Sequence, residues 1–323
     1  MISNKNFFLN NKMIPIDKFF NRVLFDKKNG YYSSRTPFGH NGDFITSPGV
    51  SNLFSEIIGI WLISSWHTLK KPKKFNVVEL GPGDGGLTKI LIKTFERFPE
   101  FNNAVNIFLY EKSQSLKKLQ KNNINSSKVR WINNFSKISK GPIIFFGNEF
   151  FDSIPIKQFL RKKKNFYEKH YFQNKDKKIV EAYKKVSKKK AQKITKFKTI
   201  NKLKFIEFPQ LGLNELQKII KKIFQLNGGL LLIDYGYTSK KMKNTLQAIS
   251  NHKFANILEN IGNVDITHNI SFDLFKRFTK KMGGLANNLT TQKEFLLKMG
   301  IKQRAQIISK NQSFLKKADI YYR

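Results

Sequence analysis

Val77-Val78-Glu79-Leu80-Gly81-Pro82-Gly83-Asp84-Gly85-Gly86 joins an apolar run beginning at Phe75 to a helical pattern beginning at Leu87. Gly81, Gly83 and Gly86 keep the G-x-G-x-x-G spacing between a strand and a helix, the context in which that spacing signals a nucleoside-bearing ligand. Glycine lets the backbone turn tightly and approach such a ligand without a Cβ clash. The spacing alone serves NAD, FAD or S-adenosylmethionine. Glu79 and Asp84 separate them, because a pyrophosphate is a poor neighbour for two carboxylates, whereas Glu79 can reach the cationic methionine portion of S-adenosylmethionine. Glu111 ends the next apolar run, where an acid can accept hydrogen bonds from both ribose hydroxyls. Asn133 follows a third run, where it can accept from the adenine amino group or simply form a polar turn.

Outward from the loop, short apolar runs alternate with helical patterns. Phe75–Leu80, Val105–Tyr110, Val129–Ile132, Pro142–Phe146 and Gly228–Tyr235 read as strands, and Leu87–Phe98 and Ser113–Lys121 as helices between them. Strands separated by helices predict an α/β protein with a Rossmann-like parallel sheet covered on both faces. Upstream, Ile16, Phe19, Phe20, Val23 and Leu24 predict a short helix that ends before Gly30. After a polar loop at 38–50, Leu53, Phe54, Ile57, Ile58, Trp61 and Leu62 predict a second, amphipathic helix. Residues 161–204 break the alternation: lysine runs flank Phe166, Glu168, His170 and Phe172, which predicts an inserted antiparallel hairpin and a mobile basic insertion. From Phe272 onward two helical patterns and a last strand around Lys302–Ile308 are expected. Residues 1–70 are read as an N-terminal helical and lid segment, and 71–323 as the catalytic domain carrying the basic insertion.

Composition narrows the function classes. The absence of cysteine among 323 residues removes disulfides, thiolate metal sites and cysteine nucleophiles, and no metal site is expected. The net charge of +38 admits nucleic-acid binding. It is also what codon bias toward Lys, Asn, Ile and Phe produces, and the lysines lack the aromatic interleaving of a base-stacking surface. No run approaches the roughly 20 apolar residues of a membrane span. With no signal-peptide pattern at Met1 to Leu9, a cytoplasmic protein is expected.

A second constellation, Gly147-Asn148-Glu149-Phe150-Phe151-Asp152-Ser153-Ile154-Pro155, follows the fourth strand of the alternation. Catalytic residues in open α/β sheets lie beyond the carboxyl ends of strands. Two carboxylates flanked by aromatic rings suit a cationic acceptor, and a carboxylate can grip a guanidinium by paired hydrogen bonds. Glu149 and Asp152 are therefore catalytic candidates, with Asn148 on the donor side; a helix cap at Asp152 or Ser153 is the alternative. His268, close to Asp265, is a third catalytic candidate.

Taken in order, Gly42-Asp43-Phe44-Ile45-Thr46-Ser47-Pro48, the Glu79 to Gly85 loop, Asn148 to Pro155, Ile233-Asp234-Tyr235-Gly236 and Val264-Asp265-Ile266-Thr267-His268 resemble the MidA-like methyltransferases, from about Phe19 to Arg304. That family includes the mitochondrial arginine methyltransferase that assists assembly of respiratory complex I. The resemblance implies a class I S-adenosylmethionine-dependent methyltransferase fold and a protein substrate, an arginine of a complex I subunit. It further implies that Gly42, Asp43, Phe44, Thr46 and Pro48 close over the donor, and that Glu149 and Asp152 hold the guanidinium. A eukaryotic member would work in the mitochondrial matrix, a bacterial one in the cytoplasm. The sequence departs from the family pattern at Gly49, where Glu is usual, at Asn133, where Asp is usual, and at Ile261, where Pro is usual. Two other readings compete: a nucleic-acid methyltransferase, and an assembly factor that keeps the fold and acts by binding without turnover.

Overall fold

The computed structural model describes residues 13–26, 30–34, 52–195, 200, 202–250, 253–258, 261–262, 264–285, 289–310, 312–313 and 320. The chain forms two compact units that alternate along the sequence. One comprises Met1–Thr36, Glu149–Lys218 and Asp234–Ala286; the other comprises Pro37–Asn148, Ile219–Ile233 and Asn287–Arg323.

The second unit holds the expected parallel sheet. Its five strands lie in the order Gly228–Ile233, Ile143–Asn148, Phe75–Leu80, Val105–Tyr110 and Val129–Ile132, every neighbouring pair parallel. The first strand in sequence is thus central, and the chain order reverses beside it. The crevice at such a reversal, beyond the carboxyl ends of the strands, is where open α/β sheets bind ligands. Phe75–Leu80 is buried at every residue, as a strand covered on both faces must be. The core beside it is aromatic: Phe101 packs against Trp66, Phe75 and Phe95 with ring centroids 5.5, 5.8 and 4.8 Å apart.

Helix Asn52–Thr68 supplies Phe54, Ile58, Leu62, Ile63 and Trp66 to that core. It meets helix Gly86–Phe95 closely at Gly59, where a Cβ would lie 3.0 Å from Thr94 Cγ2. The expected strand around Lys302–Ile308 is instead a helix, Ile301–Ser309. Isoleucines suggested a strand, but Ala305 and Ser309, four residues apart, are the buried positions, and Arg304 pairs with Glu56 through two hydrogen bonds of 2.7 and 3.2 Å. Tertiary packing overrides a weak β preference in this way.

In the first unit an antiparallel sheet runs in the order Ile14–Pro15, Asn165–Gln173, Lys157–Lys162, Phe205–Phe208, with Ile179–Lys185 also on Asn165–Gln173. The expected hairpin is present as Lys157–Lys162 with Asn165–Gln173. Much of the remaining basic stretch is ordered as the strand Ile179–Lys185 and the helix Lys188–Thr195. Two lysines of this sheet are withdrawn from solvent: Lys157, half-buried, with Nζ 2.6 Å from Asp17 Oδ2 and 3.1 Å from Glu168 Oε1, and Lys169, buried, whose ammonium pairs with Glu181. Two smaller sheets complete the unit: Lys253–Ala255, Gln247–Ser250 and Asp265–Thr267, and the parallel pair Gly236–Tyr237 with Ile270–Ser271.

Candidate functional site

In the second unit the glycine loop leaves the central strand with Gly81, Gly83 and Gly85 all at positive φ, 61°, 56° and 86°. These are conformations that side chains with a Cβ rarely adopt. At Gly85 a Cβ would also stand 2.9 Å from Ile124 Cδ1, so the loop and helix Gln114–Ile124 are in close contact. Asp84 turns back to accept the Gly86 N–H at 2.9 Å. That N–H, at a helix N-terminus, is a group a pyrophosphate would use. With a carboxylate already there, the loop suits a donor whose charge near it is positive.

Glu79 is buried, and the Thr88 hydroxyl donates to its carboxylate. Burial raises its pKa to about 7, with the Thr88 bond opposing and Asp84 adding to the rise. Glu111 ends the second strand of the sheet. Its Oε1 accepts the Lys112 and Ser113 N–H groups at 2.7 and 2.8 Å, and its Oε2 accepts from Gln120 at 3.1 Å. Asn133 is exposed, and its side-chain oxygen accepts from Asn134 at 3.0 Å. A nucleoside fits this donor set: glycines that leave the loop open, a fixed acid at a strand end, and the Gly86 N–H at the helix start already taken by Asp84.

In the first unit three sequence motifs interlock. Asp234 Oδ2 accepts from the Phe151 and Asp152 N–H groups at 3.0 and 3.3 Å, while its Oδ1 accepts the Tyr235 N–H at 2.9 Å. The His268 N–H donates to the Asp152 carbonyl at 3.0 Å, and the Tyr32 hydroxyl donates to both oxygens of Asp265 at 3.2 and 3.1 Å. Glu149 holds φ at +54°, a left-handed conformation that costs a residue with a Cβ about 1–2 kcal/mol. Asp152 is buried, and its Oδ1 meets no hydrogen-bond donor among the described residues. Burial first, then Asp234, Glu149 and Asp265, hold its pKa well above the usual carboxylate range. Burial likewise raises Asp234 to about 7. Among the described residues no cluster of His, Cys, Asp and Glu is arranged to hold a metal.

His268 is buried, with Nε2 3.1 Å from the Ile154 carbonyl and Nδ1 3.3 Å from that of Asn269. Burial lowers its pKa to about 4. A neutral ring donates from one nitrogen only, and the His268 backbone N–H bond to the Asp152 carbonyl joins the 151–154 segment to the 268–269 segment. The expected lid residues Gly42, Asp43, Phe44, Thr46 and Pro48 lie outside the described residues. Asn148 is the last residue of its strand, and Glu149 follows it in the chain. Three polar groups escaped the sequence reading of the site: Asp234 and Asp265 stood in motifs without an assigned role, and Gln120 stood in none. Only the acid at the end of an apolar run, Asp234 after Ile233, carried a signal that could have marked it.

A family model described as "putative S-adenosyl-L-methionine-dependent methyltransferase" matches residues 57–290. The chain is 27% identical over 322 residues to the mitochondrial protein arginine methyltransferase NDUFAF7 of Homo sapiens, spanning 91% of this chain and 72% of that protein. Against the Xenopus tropicalis protein of the same name the identity is 26% over 346 residues, 93% of this chain and 75% of the other. A Burkholderia thailandensis protein crystallised with S-adenosyl-homocysteine shares the fold, with TM-score 0.80 at 20% identity over 95% of this chain and 82% of that one. No helix among the described residues is long and apolar enough to cross a membrane. With the reversal-point sheet, the glycine loop and the matched family in agreement, the chain belongs to the S-adenosylmethionine-dependent methyltransferases and takes S-adenosylmethionine as its methyl donor.

Proposed function

We propose that this methyltransferase modifies an arginine of a respiratory complex I subunit and so supports assembly of that complex. The observation that carries the acceptor class is the group of interacting acids Glu149, Asp152, Asp234 and Asp265. Asp152 and Asp234, whose pKa values burial and the neighbouring carboxylates raise, are relieved by an entering cation, and a planar guanidinium can take paired hydrogen bonds from such a group. The arginine methyltransferase relatives support the same class. The choice of complex I rests on the motif order quoted above. The compartment follows the acceptor: cytoplasm in a bacterium, mitochondrial matrix in a eukaryote.

Bound S-adenosylmethionine supplies an electrophilic methyl group on a sulfonium. Little covalent chemistry is asked of the chain, so holding the acceptor nitrogen in line is its main task. In this reading Glu149 keeps the positive charge on the guanidinium nitrogens that do not react. Asp152 ionises when the cation enters and takes up the proton released as the methylated nitrogen forms. Asp234 fixes the 151–152 backbone, and His268, with its lowered pKa, holds the segment in place rather than moving the proton. On the donor side Glu79, Gly81, Gly83, Glu111, Asn133 and Asn148 are assigned to the donor, and Gly42, Asp43, Phe44, Thr46 and Pro48 to its cover.

Incubation with methyl-labelled S-adenosylmethionine and a lysate, followed by mass spectrometry of the labelled band, tests the proposal. The expected product is methylarginine in a complex I subunit. Label on RNA or DNA, or donor binding with no transfer, would reject it. Glu149→Gln should keep donor affinity and lose transfer by about a hundredfold or more; full transfer by that variant rejects the acceptor assignment.

A further inference from the structure

Gln120 has no exposed surface and belongs to no motif. Its side chain nevertheless reaches three separate parts of the donor unit. Nε2 donates to the Gly83 carbonyl of the glycine loop at 2.8 Å and to Glu111 Oε2 at 3.1 Å. Oε1 accepts the indole N–H of Trp131, on the strand Val129–Ile132, at 2.9 Å. An indole N–H only donates, so it fixes which way round the amide lies. The NH2 group must then face the loop carbonyl and the carboxylate, and both its hydrogens are used. On the same helix face Asn123 donates to the Asp84 carbonyl at 2.9 Å, and Ile124 packs against Gly85.

The consequence falls on Glu111. Its Oε1 already accepts two backbone N–H groups, which fills both lone pairs of that oxygen. The oxygen with room for a further donor is Oε2, and Gln120 sets its direction. We infer that Gln120 is a positioning residue that couples the glycine loop to Glu111 and sets the preference of this enzyme for a donor with an intact ribose. The inference rests on the assignment of Glu111 to the ribose.

The experiment compares the affinities of S-adenosylhomocysteine and its 2′-deoxy and 3′-deoxy analogues by calorimetry. The folded wild-type protein should prefer the intact ribose. Gln120→Met keeps the length and packing of the side chain but removes the amide. It should weaken S-adenosylhomocysteine by about tenfold, the size of one hydrogen bond, and bring the ribose preference close to unity. Asn123→Ala loosens the same loop without touching Glu111, so it should weaken all three ligands by the same factor. A folded Gln120→Met protein with the wild-type ribose preference overturns the inference. Should that variant not fold, Trp131→Phe decides: release of the amide should lower the preference, and an unchanged preference counts against Gln120. Glu111→Gln separates the two assignments. Loss of the preference there but not in Gln120→Met rejects the role of Gln120 alone; no loss in Glu111→Gln rejects the ribose assignment on which it stands.

Discussion

Glu79 sits on the central strand with its carboxylate shut away from water, which raises its pKa to about 7. On the proposed assignment of Glu79 to the donor, a cationic methionine group favours the ionised form, and donor binding and proton release are then linked. Affinity for S-adenosylmethionine should be full above about pH 7 and fall below it by up to about tenfold per pH unit. Glu79→Gln should bind more weakly and lose that pH dependence, which calorimetry on either side of neutrality will show. The sequence marks Glu79 and Glu111 as donor-side candidates because such a mark follows from position alone: an acid beside a glycine loop, an acid at a strand end. Gln120 could not be marked that way. Its role depends on three partners separated from it by 37, 9 and 11 positions, which only the folded helix brings together.

The parallel strands were legible because fully buried strands are written as short apolar runs, and the boundaries at Phe75–Leu80, Val105–Tyr110 and Val129–Ile132 match the structure. The pairing of the edge strand was not, and it turns on Gly228. That residue holds φ at +147°, and a Cβ there would stand 1.8 Å from the Ile143 carbonyl oxygen. Gly228→Ala should therefore displace Gly228–Ile233 from its neighbour and destabilise the protein by about 1–3 kcal/mol or more, read as a lowered melting temperature. A melting temperature equal to that of the native protein would show that the edge strand tolerates a side chain there. Ile301–Ser309 marks the opposite case, a helix disguised by isoleucines, because its fate is set by where Ala305, Ser309 and Arg304 are buried and paired.

At the scale of the molecule, 18 of the 60 basic residues fall between 161 and 204, against three acids. Most of these lysines are exposed, and in the described residues the stretch forms strands and a helix of the first unit. A solvated basic surface attracts polyanions without sequence preference, in a strongly salt-dependent way. Replacing Lys162, Lys163, Lys164, Lys188 and Lys189 by Ser should reduce retention on an immobilised polyanion and flatten its salt dependence. Affinity for S-adenosylmethionine should stay unchanged, since the glycine loop, Glu111 and Gln120 belong to the other unit. A parallel loss of donor affinity would tie the basic stretch to the donor site.

By itself the sequence determined the parallel sheet, the glycine turn at its central strand and the class of donor, because each is encoded in contiguous residues: an apolar run, a glycine spacing, an acid two positions before it. The tertiary structure decided what noncontiguous residues do together. It split the amino-terminal segment, placing Ile14–Phe25 in the unit with the basic stretch and Asn52–Thr68 in the unit with the parallel sheet. It gathered Glu149, Asp152, Asp234 and Asp265 into one interacting group and turned His268 toward backbone carbonyls. The physical reason is the same in each case: the pKa of a buried acid and the direction of a buried amide are set by neighbours in space, and a linear pattern does not name them.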